Sequence, residues 1–405
     1  MLRHIPFLKA AFAYSLTAFG GPQGHLGMMV RTFVEKRKDV TEEELLEYNA
    51  FCQMLPGPSS TQTVTLIAYK RGGTFLAILT LLIWVLPASV LMTALAFLIN
   101  YLDTSYFQND YFRFVQPMSV GFVAYAAVLM MKKSAANLMT RGIMLGGIVA
   151  TVFIHSPWLF PVLLVAAGTL TNFSDKRIEK TVQEPKKIRW TTIWVFAAIF
   201  ILAGLVSELA RQSHWQFKII PNLFENFYRF GTIVFGGGQA LIAMMLVQFV
   251  ALPQKRGLVP LLTSGDIMTG FGLVQAIPGP VFSVCAYFGV MIMTPYGAFW
   301  QVMGSLVCIA GIFLPSTLLL LFLFPVYQNL KQHVIIYRAL EGINAVIIGV
   351  IWASGILLMM AINHKAIDWW SFVVVAITFL LLKFTKIPAP VIVGVCLFAG
   401  WLFAS

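Results

Sequence analysis

Gln53-Met54-Leu55-Pro56-Gly57-Pro58-Ser59-Ser60-Thr61-Gln62 lies inside an apolar stretch and returns later as Gln275-Ala276-Ile277-Pro278-Gly279-Pro280. Pro-Gly-Pro removes backbone donors, breaks the helical ladder and starts a new helix whose first amides have no partner. In hydrocarbon, such freed groups persist only against protein or a water-filled cavity. Matched interruptions in two copies of a repeat are therefore the best sequence pointer to a ligand site inside a membrane. Two more echoes flank this one. Phe19-Gly20-Gly21-Pro22-Gln23 returns as Phe235-Gly236-Gly237-Gly238-Gln239, and Leu86-Pro87-Ala88-Ser89 as Leu314-Pro315-Ser316-Thr317. The three pairs keep their order at offsets of 216, 222 and 228, which marks an internal duplication.

The solvent for these copies is lipid. Of 405 residues, 59% are hydrophobic and 11% charged, whereas soluble domains carry about a quarter charged residues. Apolar stretches near the ~20 residues needed to cross a bilayer recur, as at 74–99 and 297–326. The expected fold is an all-α polytopic membrane protein of two homologous halves. Residues 1–172 form the first repeat and 211–405 the second. Between them, 173–210 holds a basic cytoplasmic linker, from Asp175 to Arg189, and an extra transmembrane segment at 190–207. One added crossing turns the second copy upside down, so the halves should form an inverted repeat.

Charge placement bears on the interrupted segments 7–33 and 45–70. Arg3 and Lys9, then Arg31, Lys36, Arg37 and Lys38, then Lys70 and Arg71 stand at every flank. If both segments are re-entrant hairpins of two half-helices, all three clusters are cytoplasmic. Simple crossings would place one outside, so the basic flanks favour re-entrant hairpins, with broken spans as the alternative. Spans at 74–99, 114–131, 142–155 and 157–172 follow, with Asp103 and Asp110 outside and Lys132, Lys133 and Arg141 inside. The second copy would repeat the plan with 221–250, 268–293, 297–326, 338–362, 367–383 and 387–403. That puts Lys331, Arg338, Lys383 and Lys386 inside, and Lys255 with Arg256 outside against the rule. The N-terminus runs into apolar sequence without a small-residue cleavage pattern, so no removable signal peptide is expected.

The candidate anion ligands cluster at the breaks. Ser59, Ser60, Thr61 and Gln62 follow Pro56, Gly57 and Pro58, placing amides and hydroxyls at the positive end of a new helix. Gly20, Gly21 and Pro22 make a second break, with Gln23 and His25 on the next turn. His25 can donate to an oxyanion or titrate near neutrality, or pack as a neutral helix residue; Leu241 occupies its position in the second copy. Gln23, Gln53, Gln239 and Gln275 recur beside the breaks and serve as ligands or as helix–helix hydrogen bonds. Gly237, Gly238, Pro278, Gly279 and Pro280 are the second copy's counterparts. Lys70 and Arg71 read as interfacial anchors, and Glu208 and Glu341 as caps near helix ends.

Several chemistries are excluded or weak. There is no Walker A sequence, Rossmann glycine pattern, HExxH or Cys/His cluster, so no cofactor, metal, catalytic residue or nucleic-acid partner is expected. Cys52, Cys285, Cys308 and Cys396 lie in apolar segments without CxxC spacing and read as packing residues. Cys52 and Cys285 near the breaks are the one motive for a rival reading, a membrane enzyme that reduces the oxyanion with thiols. A passive anion channel on the same elements is another. Few carboxylates lie deep in the apolar segments, whereas neutral dipoles and positive helix ends suit a divalent oxyanion. The net charge of +12 follows mainly from positive-inside topology and also draws anions to the cytoplasmic face.

With Phe19-Gly20-Gly21-Pro22 and His25, the acidic Thr41-Glu42-Glu43-Glu44, and the run Gln53 to Gln62, the chain resembles the chromate ion transporter family, in its long two-domain form. The resemblance covers nearly the whole chain. It implies secondary transport of chromate across the cytoplasmic membrane, usually efflux giving resistance, with sulfate as an isosteric competitor; the proton motive force is the expected driving force. The partners expected are chromate or sulfate, the lipid bilayer and a second copy of the chain in a homodimer. Position by position, Pro22, His25, Thr61 and Gln62 become Gly238, Leu241, Ser283 and Val284 in the second copy, so the first copy should carry more of the ligation.

Overall fold

The structure is a computed structural model that describes residues 2–19, 21–101, 112–134, 137–154, 156, 158–173, 190–213, 218–235, 237–330, 334–362 and 369–403. Gly20, Asp103, Asp110, Lys331 and the linker charges from Asp175 to Arg189 lie outside the described residues. Helices account for nearly all the rest: α1 Ile5–Thr17, α2 Gly21–Met29, α3 Glu42–Gln53, α4 Ser59–Tyr101, α5 Val115–Ser134, α6 Leu138–Phe153, α7 Leu159–Leu170, α8 Trp190–Gln212 and α9 Ile219–Ile233. The second copy continues with α10 Gly238–Met245, α11 Leu252–Lys255, α12 Ser264–Val274, α13 Val284–Met293, α14 Ala298–Leu330, α15 Val334–Ile362, α16 Trp369–Phe384 and α17 Ala389–Phe403. Among the described residues, four stretches are both long and apolar enough to cross a bilayer: Ser59–Tyr101, Trp190–Gln212, Ala298–Tyr327 and Arg338–Ile362. Segments 142–155 and 157–172, expected as full spans, form helices of 16 and 12 residues. At 1.5 Å per residue these reach about 24 and 18 Å, short of a ~30 Å hydrocarbon core.

The duplication is visible in local geometry. Each copy has a π-helical turn at the same offset, Val30–Lys36 and Leu246–Ala251. Each then starts a helix with a capping box: Thr41 with Glu44 before α3, and Thr263 with Asp266 before α12. Pro-Gly-Pro follows in both, its glycine in the left-handed region at φ 106° for Gly57 and 116° for Gly279. Another glycine break comes at Gly73, inside α4, and at Gly297 before α14. A proline then lies within each long helix, Pro87 and Pro315.

The chain forms two compact units, each built from both copies. One holds Met1–Asn100, Gln183–Gly237 and Ile277–Asn329. The other holds Tyr101–Val182, Gly238–Ala276 and Leu330–Ser405. In the second unit α15 packs against α5, α6 and α7, and Gly349 of α15 lies so close to the α6 backbone that a Cβ there would strike the Met144 carbonyl. Small residues at such contacts let membrane helices approach closely.

The first unit answers whether the broken segments span or re-enter. Arg37, after the π turn, donates from Nη1 to the Pro6 carbonyl at the start of α1, 3.0 Å away. Arg71, at the end of the first arm of α4, pairs with Asp39, and its guanidinium lies 5.5 Å from the Phe7 ring centroid. Lys70 donates to Glu44 at the start of α3 across 2.6 Å. Both segments of the first copy therefore begin and end at one face, as re-entrant hairpins do. Their arms are 13 residues or fewer for α1 and α3, about 20 Å at most, which is too short to cross alone.

The second copy points the other way. α13, counterpart of the first arm of α4, ends at Thr294, whose hydroxyl accepts from Asn100 Nδ2 at 2.9 Å. Asn100 is at the far end of α4 from Lys70, so the corresponding arms end at opposite faces. α14 runs antiparallel to α4: Ser305 shares a 2.7 Å hydrogen bond with Thr93, while Phe324 meets Tyr48 and Tyr69 near the first face. The repeat is inverted.

The Glu44 pair gives a pH test. The Lys70 ammonium, then the Thr41 amide, hold the Glu44 carboxyl below its ordinary range. A lowered folded pKa stabilises the fold above the unfolded value, and the contribution disappears as pH falls through the folded value. Wild type should thus be slightly more stable in detergent than Glu44→Gln at pH 7, a small margin because the pair is largely exposed, and thermal melting should show that margin closing as the pH falls below about 4.

Candidate functional site

Where the hairpins of the first unit turn, two backbone hydrogen bonds exchange the copies. The Gly57 amide of the first Pro-Gly-Pro donates to the Val234 carbonyl, 2.6 Å away, just before the glycine run of the second copy. Reciprocally, the Gly279 amide donates to the Ala18 carbonyl, 2.9 Å away, just before the glycine run of the first. The side-chain packing is exchanged in the same sense. A Cβ on Gly57 would collide with Ser316 of α14, and one on Gly279 would come within 2.8 Å of the Ala88 Cβ of α4. Positions 88 and 316 are equivalents in the repeat. Each loop thus closes on the other copy, as a pseudo-two-fold axis requires.

From this crossing point two helices run in opposite directions with their N-termini inside. α4 starts at Ser59, and its first bond is Gln62 N–H to the Pro58 carbonyl at 3.0 Å. The amides of Ser59, Ser60 and Thr61 precede that bond and are the unpartnered donors of a helix start. α13 follows a 3-10 turn, Val281–Ser283, after Pro280. Such ends carry partial positive charge, and here they lie away from both faces, where screening is weakest.

The side chains after Pro58 form a buried network. His25 Nδ1 shares a 3.1 Å hydrogen bond with the Ser60 hydroxyl. Trp84 Nε1 donates to the Thr61 hydroxyl at 2.9 Å, and Gln62 Nε2 donates to the Pro56 carbonyl at 2.7 Å. Tyr14 stacks on Trp84 with centroids 4.6 Å apart and donates its hydroxyl to the His25 carbonyl at 3.2 Å. His25 meets the Trp84 ring edge-on at 5.4 Å. The buried polar atoms without a partner among the described residues include Gln62 Oε1 and Ser283 Oγ beside these helix starts and Gln275 Nε2 in the other unit. The buried residues of the described chain include no lysine, arginine or glutamate.

The sequence-predicted residues fall into three groups. Pro56, Gly57, Pro58, Ser59, Ser60, Thr61, Gln62 and His25 come together, with Gly237, Pro278, Gly279 and Pro280 in the same unit. Gly21, Pro22 and Gln23 form the first turn of α2, ahead of His25. Gln53 is exposed at the end of α3. Gly238, Gln239 and Gln275 belong to the other unit, where the Gln239 carbonyl accepts from Ser354 at 3.5 Å. Of the acids considered, Glu208 pairs with Arg211 at 2.8 Å and Glu341 accepts from Asn137 at 2.9 Å. Cys52 and Cys285 are fully buried free thiols. Tyr14, Trp84 and Ser283 were not singled out from sequence. Ser283 was within reach, as the repeat equivalent of Thr61.

A tetrahedral oxyanion presents only acceptors. Helix-start amides, hydroxyls and an imidazole supply donors without a full opposing charge, the chemistry that reversible binding of such an ion calls for.

Comparison with known proteins points the same way. Residues 5–173 and 221–401 match the family described as Chromate transporter. A chromate transport protein of Cupriavidus metallidurans is 26% identical over 93% of this chain and 87% of its own length. One of Pseudomonas aeruginosa is 22% identical over 98% of this chain and 92% of its own. No solved structure matches.

Proposed function

Because this chain belongs to the chromate transporter family, a family of multi-pass membrane transporters rather than enzymes, we propose that it exports chromate by secondary transport driven by the proton motive force. The anion binds in the first unit at the helix starts after Pro58 and Pro22, with His25, Ser60 and Thr61 as donors and the Pro280 end opposite. The observation that carries this reading is the pair of inward-facing helix starts joined by the reciprocal Gly57 and Gly279 hydrogen bonds.

The electrical part of the gradient alone favours export. Moving one charge across 100 mV is worth about 2.3 kcal/mol, so a dianion leaving a negative interior gains about 4.6 kcal/mol. The cytoplasmic face gathers Lys36, Arg37, Lys38, Lys70 and Arg71 around the hairpin ends, which raises anion concentration where loading must occur.

Everted vesicles with radiolabelled chromate test this. Respiring vesicles should accumulate chromate, sulfate should compete because it has the same shape and charge, and collapsing the membrane potential should stop uptake. Ser60→Ala should weaken apparent affinity about tenfold, the worth of one hydrogen bond to a charged acceptor. Wild-type affinity in Ser60→Ala together with Thr61→Val, at equal membrane levels, would remove the helix start from the transport path.

A further inference from the structure

A concave site lies within the other unit. α16, α17 and the residues Arg113 and Phe114 just ahead of α5 enclose a groove of about 390 Å³. Its walls are the aliphatic faces of α16 and α17, with Val374, Ile377 and Val395 among them. Arg113 stands at one end, beside Trp370 and Phe403; Leu381 and Ile387 are at the other. Phe114 and Phe403 close that first end, ring centroids 5.7 Å apart.

We propose that this groove holds one acyl chain of a membrane phospholipid whose phosphate is bound by Arg113. Three observations carry it. From Trp370 to Leu381 along α16 the groove runs about 16 Å, close to half of a ~30 Å hydrocarbon core, so its length fits one leaflet. Arg113 is exposed, meets no carboxylate among the described residues, and lies over Phe114 with its guanidinium carbon 5.9 Å from the ring centroid. No ion pair among the described residues takes up its N–H fork, and such a fork matches a phosphate's paired oxygens. Trp369 and Trp370 start α16 at the same end and are both exposed, as aromatic side chains at a headgroup boundary are.

The leaflet follows from charge. Lys383, whose ammonium lies 4.9 Å from the Phe384 ring centroid, and Lys386 mark the opposite end of α16 as cytoplasmic. The lipid therefore belongs to the outer leaflet of the cytoplasmic membrane. A plain lipid-facing surface would bind any chain weakly, whereas a groove with a cation at its mouth selects an anionic headgroup.

Native mass spectrometry of the delipidated, full-length protein reads this out, titrated with phosphatidylglycerol and with diacylglycerol of the same chains. Wild type should bind one phosphatidylglycerol per chain, about fivefold more tightly than diacylglycerol, the worth of one basic side chain near an anionic lipid. Arg113→Ala, an exposed position that should not disturb folding, should bind both lipids alike. Ala399→Trp, which fills the groove with an indole, should lose both. The proposal is overturned if no lipid binds saturably, if Arg113→Ala keeps the headgroup preference, if Ala399→Trp keeps the lipid, or if the protein runs as a dimer that buries α16 and α17.

Discussion

Gly57→Ala should reach the membrane at wild-type levels and lose at least ~99% of chromate uptake. Gly57 sits at φ 106°, where a side chain costs on the order of 1–3 kcal/mol in backbone strain. The added methyl would also strike Ser316, so the loop must retreat from α14. Retreat breaks the 2.6 Å bond from the Gly57 amide to Val234 and turns the amides of residues 59–61 away from the crossing point. A misplacement of about 1 Å costs on the order of a hundredfold when positioning sets the rate. Ser316→Gly in the same chain removes the collision but not the strain, so the double variant should recover part of the uptake. Normal uptake by Gly57→Ala would show that the loop geometry does not govern transport.

The second large effect is expected at Asp39. Its carboxylate, 1% exposed, is held by Arg37 at 2.8 Å and by Arg71. These contacts tie the end of the π turn to the end of the first arm of α4, with Phe7 beneath both guanidinium groups at 5.8 and 5.5 Å. The turn into Asp39 places Lys38 at φ 55°, a strained position for a side chain that the ion cluster offsets. Asp39→Ala leaves two cations facing each other. Removing one partner of a buried pair costs about 3–5 kcal/mol; with the arginines partly exposed, the lower end applies. Melting in detergent, followed by tryptophan fluorescence, should move down well beyond the shift of Glu44→Gln. Equal melting temperatures for the two variants would show that the cluster does not close the hairpins.

Much of this fold is legible along the chain because lipid imposes a simple rule. Apolar length marks α4, α8, α14 and α15, and Pro-Gly-Pro marks the breaks, since no other residues interrupt a membrane helix so sharply. The echoes at Gln53 and Gln275 reveal the duplication, and the odd segment at 190–207 reveals its inversion. What stayed hidden depends on partners far apart in the chain. Basic flanks favoured the hairpin over the span without showing the contacts that close it; those are Arg37 on Pro6 and Arg71 on Asp39, across 31 and 32 residues. Asp39 did carry a signal, a single acid directly after Lys36-Arg37-Lys38. Trp84 carried none, because in a uniformly apolar helix no periodicity tells which face is buried. The ligand candidates were found by type and position, yet His25, Thr61 and Gln62 turn out to bond one another's surroundings, which holds the helix start in place.

The reciprocal bonds at Gly57 and Gly279 have one more consequence. Neither copy can satisfy its own loop, so each half taken alone exposes a donor at Pro-Gly-Pro and an acceptor before its glycine run. Association of two halves in opposite orientations is thus part of folding, and the linker with α8 turns that encounter into an intramolecular one at millimolar effective concentration or above. A gene cut within residues 174–189 should still yield a working pair when both pieces are made together, with activity that falls as expression is diluted. In the intact chain that dependence on amount is gone.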